Sequence, residues 1–301
     1  IQSGGNYNVV EGNEAGTALT TGDYNTAVGT NALDAATTPD YNTAVGYDSM
    51  TNNTTGATNT GVGAHSLKAN TEGNNNVAVG FGSLDVNTTG SDNIAIGYDA
   101  GGASTTGHSN VAIGRDALLT EDTGRKNVAI GYQALRVQNS DADNLNTAVG
   151  YQAGVAITTG TNNVAIGANA LDANTTASNN TAIGSTALGA NTTGASNIAI
   201  GKSALASNTT ASSNIAIGLN AGDAITTSPA NTLVGHNAGS AISTGNGENV
   251  CIGNNAGALM TTGQQNVFIG DQAAAGATVT GATNTIVGDN AGHTLTSGAN
   301  N

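Results

Sequence analysis

Four histidines and one cysteine are the side chains here with the clearest capacity for acid–base, nucleophilic or metal chemistry. The histidines are His65, His108, His236 and His293. No two of them stand at metal-ligand spacing, and none belongs to a Ser-His-Asp or His-Glu-x-x-His arrangement. We therefore expect no catalytic residue, no cofactor site and no metal site, and we expect that the chain is not an enzyme. We expect His65 and His236 on a solvated surface.

Cys251 is the single cysteine, so the sequence offers no disulfide framework and no thiolate metal cluster. It stands at a position that is usually alanine elsewhere in the chain. This placement predicts a small buried hydrophobe rather than a reactive thiol.

Exposed aromatic residues are the strongest candidates for recognition of another molecule. Five of them directly follow a recurring glycine: Tyr47, Phe81, Tyr98, Tyr132 and Tyr151. In one interpretation this stripe stacks on sugar rings of a glycan. In the other, which we favour, it packs against a neighbouring copy of the chain.

The glycines that precede this stripe belong to a unit of Asn, a β-branched residue, usually Ala, Val or Ile, and Gly. The unit occurs seventeen times, and thirteen of its sixteen intervals are 17 residues long. A fixed period of this length predicts a solenoid in which each repeat is one coil. We expect residues 1–301 to form one continuous repeat domain of about seventeen coils, as part of a longer fibre.

Each position in the coil can be numbered from the repeat glycine, which is position 0. Positions −3 and −1 are β-branched in nearly every copy, and position −2 is small in most. β-Branched residues two apart lie on one face of a strand, so the pattern predicts an all-β, parallel β-solenoid (β-roll or β-helix) with 17-residue coils. We expect the β-branched residues to fill the core and the small ones to face a partner.

Position −4 is asparagine in every copy. Stacked coils place equivalent side chains about 4.8 Å apart, so their amides can form a hydrogen-bonded ladder. We assign this structural ladder to Asn25, Asn42, Asn59, Asn76, Asn93, Asn110, Asn127, Asn146 and Asn163.

Two further positions alternate. Nine copies carry Leu or Met at +4, and six of the seven copies with Gly at +4 carry an apolar residue at +7 instead. This predicts one core site per coil, filled from either position. A core this thin predicts self-association, and we expect a homotrimer.

The segments Asn-Val-Ala-Ile-Gly (residues 110–114, 127–131 and 163–167) and Asn-Ile-Ala-Ile-Gly (93–97, 197–201 and 214–218) resemble the head repeats of trimeric autotransporter adhesins. Bacteriophage tail fibres contain similar repeats. The resemblance implies trimers of parallel β-rolls that bind host surfaces or matrix proteins. The usual adhesin repeat is shorter than this one. A weaker resemblance, of Ile-Gly-x-x-Ala-Leu to the hexapeptide of left-handed β-helical acyltransferases, covers one turn per coil where that family has three.

The net charge of −14, with only six Lys and Arg residues, argues against a nucleic-acid partner. No stretch approaches the length of a membrane helix, so we expect no direct membrane insertion. Asp99 and Asp116 share position +2 of adjacent coils and could share an ion, although a solvated face is the preferred interpretation.

Three function classes remain open. The leading one is an extracellular structural and adhesive fibre, on a cell or virion surface, that presents a repetitive β-solenoid to a host protein, matrix or glycan. The alternative is a phage or viral tail-fibre shaft that acts as a spacer. Ice binding ranks third, because the adjacent threonines of the Thr-Thr-Gly corners would point to opposite faces if extended.

Overall fold

The computed structural model describes residues 7–300, and within them every regular element is a three-residue β-strand, with no helix. The chain divides into two compact units, residues 1–146 and residues 147–301. Each unit is a parallel β-solenoid, which confirms the predicted fold class and its 17-residue coils.

Unit 1 contains eight described strands, and each consecutive pair in it is parallel and in register, so that Ala27 pairs with Ala44. The strands are β1 (Val9–Glu11), β2 (Thr26–Val28), β3 (Thr43–Val45), β4 (Thr60–Val62), β5 (Val77–Val79), β6 (Ile94–Ile96), β7 (Val111–Ile113) and β8 (Val128–Ile130).

Unit 2 contains nine described strands in the same arrangement, with Ala165 paired to Ala182. The strands are β9 (Thr147–Val149), β10 (Val164–Ile166), β11 (Thr181–Ile183), β12 (Ile198–Ile200), β13 (Ile215–Ile217), β14 (Thr232–Val234), β15 (Val250–Ile252), β16 (Val267–Ile269) and β17 (Thr285–Val287).

Hydrogen bonds between coils continue beyond the strands. Leu33 N donates to Ser49 O over 3.0 Å, and Thr54 N donates to Thr71 O over 3.1 Å, so that positions +4 and +8 also bond to the next coil. The backbone groups of these turns are thereby satisfied by the next coil, as buried peptide groups must be.

Left-handed backbone conformations turn the chain within each coil. Positions +2, +4 and +12 have positive φ, as at Asp48 (53°), Met50 (50°) and Thr58 (57°). The repeat glycine itself is needed for two reasons, seen at Gly184. Its φ is 136°, and a Cβ there would overlap the backbone of Gly201 in the next coil.

The strands face the opposite way from the sequence-based prediction. Ala95 is 1% exposed, whereas Ile94 and Ile96 on either side of it are each 38% exposed. The small −2 side chain therefore lies in the core, and the β-branched side chains at −3 and −1 point outward. The prediction was wrong because a 17-residue coil is narrow: the opposite wall already supplies Leu or Met and asparagine, which leaves room for little more than a methyl group.

The trade-off between positions +4 and +7 is confirmed by the packing. In the coil of Gly218, a Cβ added at Gly222 (+4) would lie 3.1 Å from Ile225 Cδ1 (+7) and 3.1 Å from Leu205 Cδ2 of the preceding coil. The two positions thus fill one volume. The larger −2 residues near the end of the chain, such as Leu233 and Phe268, are fully buried in the same core.

Candidate interaction surfaces

Within residues 7–300 no three His, Cys, Asp or Glu side chains are placed to hold a metal ion. In the same range, no helix has the length and apolar character needed to cross a membrane. The surfaces that remain as candidates are extended columns of equivalent residues.

The strand face is the largest of these surfaces, and we use that name for the side chains at positions −3 and −1 of β1–β8 and of β9–β17. They are Val, Ile or Thr except at Glu11. Stacking within each unit covers their sides and leaves their outer ends in solvent, as for Ile166 and Ile217, each 38% exposed. The valine and isoleucine side chains make this face a candidate interaction site, and threonine occupies seven of its −3 positions.

The predicted aromatic stripe at position +1 is exposed in all five members, between 39% for Tyr132 and 52% for Tyr47 and Tyr151. In unit 1 its side chains contact each other. Phe81 and Tyr98 stack with ring centroids 5.4 Å apart and planes at 12°. The Arg115 guanidinium lies 5.2 Å from the Tyr98 centroid.

His65 extends this aromatic column rather than standing free in solvent as we expected. It is half-buried, and its ring lies edge-on between Tyr47 and Phe81, 5.4 Å from each. Its Nδ1 atom is 3.6 Å from Asp48 Oδ2. The described His236, by contrast, is exposed as expected, with Nδ1 3.1 Å from Asn254 Oδ1.

A second aromatic column escaped the sequence analysis. Tyr7, Tyr24 and Tyr41 at position +12 stack with centroids 5.0 Å apart and nearly parallel planes. The 17-residue spacing of these tyrosines was the signal that could have revealed the stack. Where rings stack face to face, as in Tyr24 with Tyr41 and Phe81 with Tyr98, the ring edges and the Tyr hydroxyl groups are the parts left for solvent.

The asparagine ladder at position −4 is confirmed. Asn42 Oδ1 accepts a hydrogen bond from Asn59 N at 2.9 Å, and Asn42 Nδ2 donates to Gly56 O at 2.9 Å. Equivalent bonds join Asn163 to Asn180 N at 3.0 Å in unit 2. Backbone N–H groups, more than side-chain amides, are the donors to the ladder.

A second asparagine ladder occupies position +7 and was missed. Asn70 Nδ2 donates to Asn53 Oδ1 at 2.7 Å, and Asn87 Nδ2 donates to Asn70 Oδ1 at 2.8 Å. All three are fully buried. The sequence shows Asn at +7 wherever Leu or Met fills +4, except in the coils with Ala36, Glu121 and Gln138.

Glu121 places a carboxyl group in this +7 column, where it is fully buried. Its Oε1 atom accepts a hydrogen bond from Gly124 N at 2.8 Å, and its Oε2 atom accepts one from Asn144 Nδ2 at 2.8 Å. Burial nevertheless raises the pKa of the Glu121 carboxyl above its usual value.

The carboxyl groups of Asp99 and Asp116 influence each other without forming a site. The pKa of Asp99 is raised by burial and by the charge of Asp116. Arg115 lies beside them, with Nε 3.6 Å from Asp116 Oδ2. A cation is therefore already supplied next to this pair by the chain itself.

No protein-family model matches the chain, and no curated protein matches its sequence.

Proposed function

We propose that this chain is a structural and adhesive segment of an extracellular fibre, assembled as a homotrimer through the strand face and displayed on a cell or virion. The strand face is the observation that carries the proposal. It gives an acidic, otherwise polar molecule a long apolar surface on one side of each unit, and such surfaces are stabilised by burial against a partner.

A second copy of the chain is the occupant that fits this face best. The side chains of the strand face repeat at the coil spacing, so the strand face of a second copy matches it coil by coil. Closed cyclic assemblies bury the same kind of surface in every copy, and the resemblance to adhesin heads favours three copies.

Attachment to a host protein, matrix or glycan is assigned to the columns that stay outside such an assembly. The aromatic columns contribute ring edges and hydroxyl groups held in a rigid row. Many weak, identical contacts along a repeat give strong overall attachment by multivalency.

A bead-attachment assay distinguishes an adhesive fibre from a fibre that acts only as a spacer. Beads coated with the chain are applied to cultured cells and to arrays of matrix proteins and glycans. We expect saturable binding that falls in the Phe81→Ala/Tyr98→Ala variant and not in the matched Thr193→Ala variant. A chain that trimerises and binds nothing on these surfaces is a fibre shaft, and the adhesive proposal is then rejected.

Ice binding is a second candidate, favoured by one observation. Threonines at position +9 of seven successive coils of unit 2 are exposed: Thr159, Thr176, Thr193, Thr210, Thr227, Thr244 and Thr262. In each of these corners the preceding +8 side chain is less exposed, as for half-buried Thr192 beside exposed Thr193, so position +9 would supply the ice-binding row. Thermal hysteresis that the Thr193→Leu/Thr210→Leu variant abolishes would support ice binding, and no hysteresis in the parent chain excludes it.

A further inference from the structure

A notch interrupts the outer surface of unit 1 at the coil of Gly97. That coil has Gly101 and Gly102 at positions +4 and +5, where the next coil carries Leu118 and Leu119. Position +7 is Ser104, so this coil supplies no large side chain from either of the alternating positions. The missing side chain at +5 leaves a gap on the surface.

The notch opens a groove of about 700 Å³ that spans four successive coils. Its apolar part consists of Val86, Ala103 and Leu119. The groove residues stand at positions +2 to +8, whereas the strand face consists of positions −3 and −1, so the two surfaces share no residue.

Carboxylates surround the apolar part of the groove. No cationic side chain lines it, and the charge of Arg115 acts on Asp99 from outside the lining. Asp85, Asp99 and Asp122 contribute the charges. The pKa of Asp85 is raised by burial and then by the charge of Asp99. Thr105 Oγ1 donates a hydrogen bond to Asp122, which fixes that carboxylate at the rim.

The spacing of these carboxylates fits an organic cation better than a metal ion. No three acidic, His or Cys side chains of the described residues converge closely enough to chelate a metal. An elongated group with an apolar stem and a charged end matches an apolar floor with a dispersed acidic rim.

We propose that this groove binds a lysine side chain of a partner polypeptide. The methylene stem lies on Val86 and Leu119, and the ammonium group lies among Asp85, Asp99 and Asp122. The groove is open to solvent along its length, which suits a side chain presented by a protein surface. The inference rests on the proposed attachment function and gives it a chemical class of partner.

Peptide binding to the full chain tests this assignment. Capped Gly-Ser peptides with a central lysine, norleucine or acetyl-lysine are immobilised on a sensor surface, and the chain is applied at 150 mM salt. We expect saturable binding to lysine at least tenfold tighter than to norleucine or acetyl-lysine. Equal binding to all three peptides would overturn the proposal.

Matched variants locate the site. Gly102→Leu fills the notch with the side chain that Leu119 already shows to be tolerated at +5, and it is expected to weaken lysine binding at least tenfold. Gly189→Leu makes the same change at +5 in unit 2 and is expected to have no effect. If Gly102→Leu binds as the parent does, the attraction comes from net charge and the groove is not the site.

Charge variants keep the proposal testable if Gly102→Leu fails to fold. Asp122→Asn retains an acceptor for Thr105 Oγ1 and is expected to weaken lysine binding several-fold. Asp172→Asn is its control, because Asp172 stands at +5 outside the groove and burial also raises its pKa. Equal loss in both variants contradicts a localised site.

Free spermidine distinguishes a small-amine site from a docking site for protein side chains. Displacement of the chain by micromolar spermidine would overturn the assignment to a polypeptide. Light scattering on the same samples reports the oligomeric state, so a failure of lysine binding and a failure of assembly are seen separately.

Discussion

Glu121 is the residue at which charge and burial conflict most directly. Its neighbours at +7 are Ser104 and Gln138, and Gln138 Nε2 donates to Asn127 Oδ1 of the −4 ladder at 3.3 Å. Asn144 Oδ1 is buried near this group with no hydrogen-bond partner. An amide at position 121 could donate to Asn144 Oδ1, which an ionised carboxyl cannot do.

Glu121→Gln is predicted to raise the melting temperature at pH 7, because the neutral amide avoids the burial of a charge. The pKa of Glu121 is raised in the folded state. The contribution of the Glu121 carboxyl to stability is therefore fully present below its unfolded pKa and is lost as the pH rises through its folded pKa. The advantage of the variant should grow from pH 4 to pH 8 in thermal scans. The exposed Glu72→Gln change is the control, and an advantage that shrinks with rising pH would contradict the account.

Asn197 shows what the −4 ladder contributes. Its Oδ1 accepts a hydrogen bond from Asn214 N at 3.0 Å, and its Nδ2 donates to Ala211 O at 2.9 Å. Asn197→Ala leaves the buried Asn214 N–H without its partner, at a cost of about 1–3 kcal/mol, whereas Ala211 O keeps the hydrogen bond from Asn208 Nδ2 at 3.0 Å. Urea unfolding measures the loss, and exposed Asn52→Ala should change stability by less than about 0.5 kcal/mol. Equal effects at the two positions would exclude a structural ladder.

Cys251 is predicted to be chemically inert in the folded chain. It is fully buried, and burial raises the pKa of its thiol to about 12, so the reactive thiolate is scarce at neutral pH. Ellman's reagent should react with it only after denaturant is added. The Cys251→Ala/Thr262→Cys variant, with its thiol at an exposed corner, should react at once. Fast reaction of the native wild-type thiol would contradict the burial.

At the scale of elements, the width of the coil decides which side chains of each strand point into the core. Ala165 is 1% exposed and Leu171 is fully buried in the same coil. A larger −2 residue is accommodated only where +4 is small, as for Leu233 with Gly239, whose added Cβ would lie 2.8 Å from Leu233 Cδ2. The identities at −2, +4 and +7 are therefore coupled.

Ala165→Leu is predicted to destabilise the chain by about 1–3 kcal/mol through overpacking. Adding Leu171→Gly should restore part of that stability, since it empties the shared volume and suits the positive φ at this position, which is 52° for Leu171. A double-mutant cycle in urea measures the coupling. Additive effects of the two changes would show that they do not share a site.

Periodicity made the coil and the asparagine ladder predictable, because both follow from residues 17 apart, such as Asn25 and Asn42. Which face of the strand points into the core was not predictable in the same way. Alternation separates Ile94 and Ile96 from Ala95 but does not say which set is inside. That depends on the space left by the far wall, which no local pattern reports. The position of His65 between two aromatic rings was not predictable either, because it depends on how three coils align side by side.

At the scale of the whole molecule, the net charge of −14 opposes self-association. Screening lengths fall from about 30 Å at 0.01 M salt to about 10 Å at 0.1 M. Assembly through an apolar face should therefore tighten several-fold over this range in sedimentation equilibrium. Dissociation on adding salt would indicate that ion pairs, rather than the strand face, hold the copies together.

The mass of the chain in solution tests the central claim most directly. Light scattering should give three chain masses for the wild type. Ile166→Asp/Ile217→Asp, which places charges on the strand face, should give a folded single chain. Thr193→Asp/Thr210→Asp, with the same charges at exposed corners, should remain trimeric. A wild-type single chain, or a trimer indifferent to Ile166→Asp/Ile217→Asp, would contradict assembly through the strand face.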